Sequence, residues 1–293
     1  MKKSISAGSR LFDGVNNLWL LLVLIATLYP FLHVAAVSLS DPFTVLQNKV
    51  TFYPIGLDLN SYQTVLENPA LWTSYRNTIV YTVSGTLINL VLTTLMAYAL
   101  SKPKLYARKT LTMMVIFTMF FQGGMIPSYL VVNELGIMNS MWAVILPYAV
   151  STWNLMIMRT FFQGFPQELE EAAVMDGGNP YQILLRIVVP LSKPIMATMA
   201  LFYSVWHWNS YMLPLLYLNE KVKYPLQILL QQILISGETS FAQANANIDS
   251  AQLIIGTSIK YATIMVAILP IILIYPFVQK YFVKGAMMGS IKG

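Results

Sequence analysis

Four carboxylates crowd into nine positions of a chain otherwise poor in charge. Glu168, Glu170, Glu171 and Asp176 lie in or just before the stretch EEAAVMDGGNP, 170–180, and make up a third of the twelve acids in 293 residues. Carboxylates this close serve acid–base catalysis, hold a metal ion or form a charged docking surface. A different chemistry is offered by TWN at 152–154 and WHWN at 206–209, which place Trp153, Asn154, Trp206 and Asn209 in two apolar stretches. Sugars stack their C–H faces on such rings while amides take the hydroxyls, and a polar ligand site needs only a few groups of this kind. The plainer alternative is anchoring, because Trp favours headgroup depth. Arg76 and Lys260, near the ends of apolar stretches, either snorkel to an interface or draw in an anionic ligand.

Much chemistry is excluded at once. The histidines, His33 and His207, lie far from the acids, and neither sits in an HExxH context. No second acidic group faces the cluster from another loop, and no metal-ligand spacing follows it. The phosphate-binding pattern GxxxxGK[ST] is absent, so the chain binds no nucleotide by that means. Without cysteine there is no disulfide framework and no thiolate metal site. Ser84-Gly85 has no nucleophile motif around it; small residues in a span usually let helices approach.

The elements that must position these residues are membrane helices. The chain is 56% hydrophobic and 10% charged, with a mean hydropathy of +0.60, against about a quarter charged in a soluble domain. Six apolar stretches of spanning length are expected at 18–39, 74–100, 110–132, 141–163, 194–217 and 253–283. Several carry internal Pro or Gly, including Pro30, Gly123-Gly124, Pro147 and Pro270. The backbone groups so freed must find partners in a neighbouring helix or a wet cavity. Thirteen basic residues fall on one side (Lys2, Lys3, Arg10, Lys102, Lys104, Arg108, Lys109, Arg159, Arg186, Lys193, Lys280, Lys284 and Lys292) and five on the other (Lys49, Arg76, Lys221, Lys223 and Lys260). The richer side is expected to be cytoplasmic, with both termini inside. The net charge of +6 follows from that asymmetry and is no nucleic-acid footprint.

The acidic stretch then belongs to a cytoplasmic segment, 164–193. Pro166 suits the start of a helix, and acids in its first turn favour the positive end of the dipole. Ala172 and Ala173 give that helix a low face, and Gly177-Gly178 ends it in the left-handed conformation. Asn179, Pro180 and Gln182 read as a capping box opening a second helix. Ile183, Leu184, Ile187 and Val188 form its apolar face, and Pro190 closes it. A docking surface or a solvated loop both fit this reading.

The stretch EAAVMDGGNPYQILLRIVVP resembles the EAA loop of permease subunits of ATP-binding-cassette (ABC) importers: Glu-Ala-Ala, three residues, Gly, nine residues, Ile, one residue, a large apolar residue and Pro. It reads here as Glu171-Ala172-Ala173, Gly177, Ile187, Val189 and Pro190, with Val189 where Leu is usual. LGIMNSMWAVILP (135–147), VWHWNSYMLPLLYL (205–218) and QKYFVKGAMMGSIKG (279–293) resemble the MalG-type second permease of carbohydrate importers. FFQGGMIPSYLVV (120–132) resembles the oligosaccharide subgroup that includes the alginate importer. The resemblance implies an all-α, six-span type I ABC importer permease fold, one transmembrane domain over 1–293, in the bacterial cytoplasmic membrane. It makes Glu171, Ala172, Ala173, Asp176 and Gly177 the ATPase-coupling residues. The implied partners are a second homologous permease, a cytoplasmic ATPase dimer carrying ATP and Mg, an extracytoplasmic solute-binding protein, membrane lipid and an oligosaccharide, with an anionic one such as alginate oligomers in view. No cofactor or metal is expected on this chain, and it performs no bond chemistry. A stand-alone secondary transporter would need an intramembrane ionisable relay, of which the spans hold almost nothing; a membrane enzyme would need the missing catalytic set.

Overall fold

The computed structural model describes the backbone of residues 7–243 and 250–288 and the side chains of 8, 11–235 and 256–276. Among the thirteen residues of the basic side, Lys2, Lys3 and Lys292, and the side chains of Arg10, Lys280 and Lys284, lie outside the described set, as does the end of the 279–293 motif. In chain order the helices are α1 (Ala7–Ser38), α2 (Pro42–Leu46), α3 (Asn60–Glu67), α4 (Pro69–Ser101), α5 (Arg108–Phe120) and α6 (Met125–Glu134). Next come α7 (Met141–Ile145, prolonged by the 3-10 turn Leu146–Tyr148), α8 (Thr152–Gln163), α9 (Gln167–Met175), α10 (Pro180–Ile183) and α11 (Val189–Leu191). The chain ends with α12 (Lys193–Trp208), α13 (Met212–Tyr217), α14 (Leu226–Gln243) and α15 (Ser250–Met288). Sheet-like pairing among the described residues is limited to one bridge, Ser40 to Leu57. The fold is all-α.

Three helices are long and apolar enough to cross a membrane unbroken: Leu11–Ser38 within α1, Pro69–Ser101, and Gly256–Pro276 within α15. Three further pairs of helices pass the same test of length and composition when each pair is taken together, and each is bent at a short break. α5 and α6 meet at 115°, α7 with its 3-10 turn meets α8 at 52°, and Pro180–Leu191 meets α12 at 85°. The single helix expected over 110–132 is thereby corrected. Gly124 takes φ +85° and ψ −178°, a conformation open to glycine at little cost, so the helical ladder stops at Phe120 and restarts at Met125. The expected 194–217 span likewise breaks after Trp208, and α13 is a separate short helix.

The chain divides into two compact units. One holds the described residues of Met1–Pro69 and Leu230–Pro270, the other those of Ala70–Leu229 and Ile271–Gly293. In the first, Ala36, Val37, Val45 and Val50 are buried together, with Ile55 and Tyr261 at their edge. Ser40 Oγ donates to Ala36 O at 2.6 Å and accepts from Ile55 N–H at 3.0 Å, while Asp41 caps α2 by accepting from Thr44 N–H. These bonds fold the segment after α1 back on itself.

In the second unit the main core joins α4, α8, residues 180–191 and α12. Ala97, Leu100, Leu155, Met158, Phe162, Ile183, Leu184, Val188 and Met199 are buried there. α4 and α12 approach so closely at Gly85 that a Cβ would sit 2.4 Å from the His207 ring. One turn on, His207 Nε2 lies 3.3 Å from Asn89 Oδ1. That oxygen can only accept, so Nε2 carries the proton and donates. Asn89 Nδ2 donates in turn to Tyr148 O at 3.1 Å, which ties the break between α7 and α8 to both helices.

The opposite end of this unit is held by Asn139, itself in the left-handed region at φ +56°. Its N–H donates to Tyr217 O at 2.8 Å, and its Oδ1 accepts from the N–H groups of Asn219 and Glu220. Lys223 Nζ donates to its carbonyl at 2.9 Å. Asn77, Tyr81 and Thr78 of α4 bond the backbone of residues 222–226. Hydrogen bonds from Lys223 and Asn139 hold the Glu220 carboxyl below the usual carboxylate range.

Candidate functional site

The acidic stretch forms α9 and the turn that ends it. Pro166 occupies the N-cap, and Glu168 and Glu170 fall in the first turn, where negative charge meets the positive end of the dipole. The turn is a complete Schellman motif: Gly177 N–H donates to Val174 O at 3.0 Å, and Gly178 N–H to Ala173 O at 2.9 Å. The two glycines answer different demands. Gly177 is left-handed at φ +81° and its missing Cβ faces open space; a Cβ on Gly178 would meet Ala173 O at 2.8 Å. Asn179 and Gln182 then form a reciprocal capping box at α10. Ile183, Leu184 and Val188 enter the core by way of a π-helical turn, Leu184–Val188.

α9 is two-sided. Ala173 packs against the core, and Glu170 pairs with Lys102, whose ammonium lies over the Tyr98 ring at 4.1 Å. Arg159 Nε donates to Leu100 O at 3.1 Å. The Gln163 amide, oriented with its oxygen toward the two guanidinium groups, accepts from Arg159 and Arg108 at 3.0 Å each. Glu168, Glu171, Ala172, Asp176 and Gly177 are left exposed. Apolar side chains stand among them, Met175 at 87% and Val174 at 59% exposure, with Tyr181 following at 72%. The two alanines thus do opposite jobs, and a fourth acid, Glu170, is spent on holding the helix in place.

Elsewhere in the second unit lies a cavity of about 840 Å³. Trp153, Asn154 and Trp206 all line it; Asn209 does not, its Nδ2 donating to Val205 O instead. Ser151 caps α8, so that Trp153 and Asn154 fall in the first turn, at the break. Trp153 is 61% exposed and Asn154 only 7%. Trp206 leans on Tyr148 with ring centroids 5.5 Å apart. Thr118 and Thr152 share a hydrogen bond of 3.0 Å across the wall. No Asp, Glu, Lys, Arg or His is among the residues that line it. Such a chamber offers aromatic faces, amides and hydroxyls, a set suited to a polyhydroxylated ligand.

Arg76 is exposed on α4 in this unit, and Lys260 is half-buried on α15 in the other. Two lining residues escaped sequence reasoning. Asn89 is a lone amide in a long apolar span, and Gln122 stands directly before Gly123-Gly124; a polar residue beside a helix break was the available signal for the second. Groups of three or more metal-ligating side chains are absent among the described residues.

Residues 5–287 match the family described as binding-protein-dependent transport system inner membrane component. The polygalacturonan/rhamnogalacturonan transport system permease protein YtcP of Bacillus subtilis is 41% identical over 97% of this chain and 99% of its own length. Protein LplC of the same organism is 42% identical over 97% and 96%. Among solved structures, a bacterial ABC transporter involved in the import of the acidic polysaccharide alginate has a chain with TM-score 0.86 and 34% identity, covering 96% of this chain and 100% of that one. The chain belongs to the binding-protein-dependent transport system inner membrane components, and it is a membrane-spanning transport subunit of an ABC importer rather than an enzyme.

Proposed function

We propose that this permease works with a second permease of the same family, a cytoplasmic ATPase dimer and an extracytoplasmic binding protein to import an acidic oligosaccharide. The end of the second unit that carries Lys102, Arg108 and Lys193 faces the cytoplasm, in keeping with the basic residues gathered there. α9 docks on the ATPase through Glu171, Ala172, Asp176 and Gly177, with Met175 and Val174 as its apolar contacts; Ala173 sets the helix against the core. ATP and Mg bind on the ATPase. Trp153, Asn154 and Trp206 line the sugar path, and Arg76 and Lys260, each near the outer end of its own span, raise the local concentration of an anion.

The observation that carries this reading is the uncharged, aromatic and amide-lined cavity, in a chain with one relative named for polygalacturonan/rhamnogalacturonan transport and one solved neighbour described as importing the acidic polysaccharide alginate. The test is uptake of labelled oligogalacturonate into proteoliposomes holding both permeases and the ATPase. The expected result is uptake that requires internal ATP and external binding protein together. Uptake driven by a proton or sodium gradient without ATP would refute it.

A further inference from the structure

The cavity wall carries no formal charge, yet one part of it is electropositive. At the break between α5 and α6 the backbone N–H groups of Gln122, Gly123, Gly124, Met125 and Ile126 find no acceptor among the described residues. Pro127 has no N–H, and the ladder resumes only with Ser128 N–H to Gly124 O at 3.4 Å. Gly124, at the N-cap, brings no side chain to close the helix. Residues 122–125 line the cavity, so the positive end of a ten-residue helix opens into it.

Asn154 is an independent sign of a ligand. It lines the same cavity, is 7% exposed, and its side-chain amide makes no hydrogen bond among the described residues. The amide is not among the enclosed atoms of the core, so it opens on the cavity it lines and can bond what enters there.

We propose that the N-terminus of α6 and the Asn154 amide form a carboxylate subsite for one acidic sugar unit, a proposal that rests on the acidic-oligosaccharide reading above. Trp153 supplies the apolar face on which that unit stacks. Broken membrane helices direct their N-termini at anionic groups in this manner. Neutral dipoles also suit a path better than a fixed cation would, because the cargo must leave as readily as it enters.

The test compares uptake of oligogalacturonate with uptake of its neutral methyl ester, each rate taken relative to the unsubstituted transporter so that the binding protein's own preference cancels. Asn154→Asp and Gln122→Glu each place a like charge at the subsite. Gln122 is exposed on a non-helical segment, so its variant leaves the packed core alone. Both variants should slow the acid about tenfold or more and the ester less than about twofold. Equal loss of both sugars, or no loss of either, overturns the subsite. Failure of the unsubstituted transporter to move the acid while it moves the ester overturns the acidic-substrate reading itself.

Discussion

Alanine at Gly177 and alanine at Gly178 differ by one position and should differ severalfold in consequence. A Cβ on Gly177 meets nothing within 4 Å, so alanine there pays only for the left-handed conformation, about 1 kcal/mol. That lowers the population of the closed turn roughly fivefold. A Cβ on Gly178 would lie 2.8 Å from Ala173 O and 3.4 Å from Ile183 Cγ1. The carbonyl already accepts the Gly178 N–H and cannot retreat without losing that bond. Adding about 1 kcal/mol for the bond to about 1–3 for overpacking gives a total of about 2–4 kcal/mol. The assay is ATPase activity of the reconstituted transporter, with and without loaded binding protein. Gly177→Ala should keep the ATPase and lose up to about fivefold in stimulation; Gly178→Ala should lose more than about tenfold. Gly177→Asn, which tolerates the left-handed region, should recover most of the first loss. Gly178→Ala performing as well as Gly177→Ala would refute the claim that this turn sets the docking helix.

Three further outcomes are expected. A double-mutant cycle on Lys102→Met and Glu170→Gln should give a coupling of about 0.5–1 kcal/mol in thermal unfolding, the pair being partly shielded at 29% and 19% side-chain exposure; a coupling of zero would mean that the pair does not hold α9. Gly85→Ala should cost about 1–3 kcal/mol through its clash with His207, and His207→Ala should relieve much of it; an unrelieved loss would place the strain elsewhere. The depressed Glu220 carboxyl stabilises the 218–224 segment fully above its ordinary value of 4.5 and loses that contribution as pH falls below it. Proteolysis of that segment should therefore rise only below about pH 4.5, and Glu220→Gln should abolish the dependence; a rise between pH 5 and 8 would contradict the assignment.

Hydropathy made the crossings legible because long apolar runs have few fates in water. It could not show where the helices break and bend. Gly123-Gly124 announces a weak point, but the 115° turn depends on the φ of Gly124 and on what the two half-helices pack against. The capping box at Asn179 and the stop at Gly177 were readable because both are local chemistry within four residues. Glu170 was not, since its partner Lys102 is 68 positions away and only packing unites them. The same limit separates Trp206 from Asn209. Both lie in one motif, yet the helix ends between them at Trp208 and only Trp206 lines the cavity. Asn139, which joins backbone groups of three residues, Tyr217, Asn219 and Glu220, carries no local signal of that role because those partners lie about eighty positions away.

The central claim is that the exposed face of α9 meets an ATPase. Because the chain has no cysteine, Met175→Cys, at a position 87% exposed, can carry a single photocrosslinker in the assembled transporter. Val222→Cys, 72% exposed near the Asn139 end, serves as the control. The account predicts a permease–ATPase adduct from Met175→Cys whose yield changes when ATP is added, and none from Val222→Cys. An adduct from Val222→Cys, or none from Met175→Cys while the ATPase co-purifies, would contradict it.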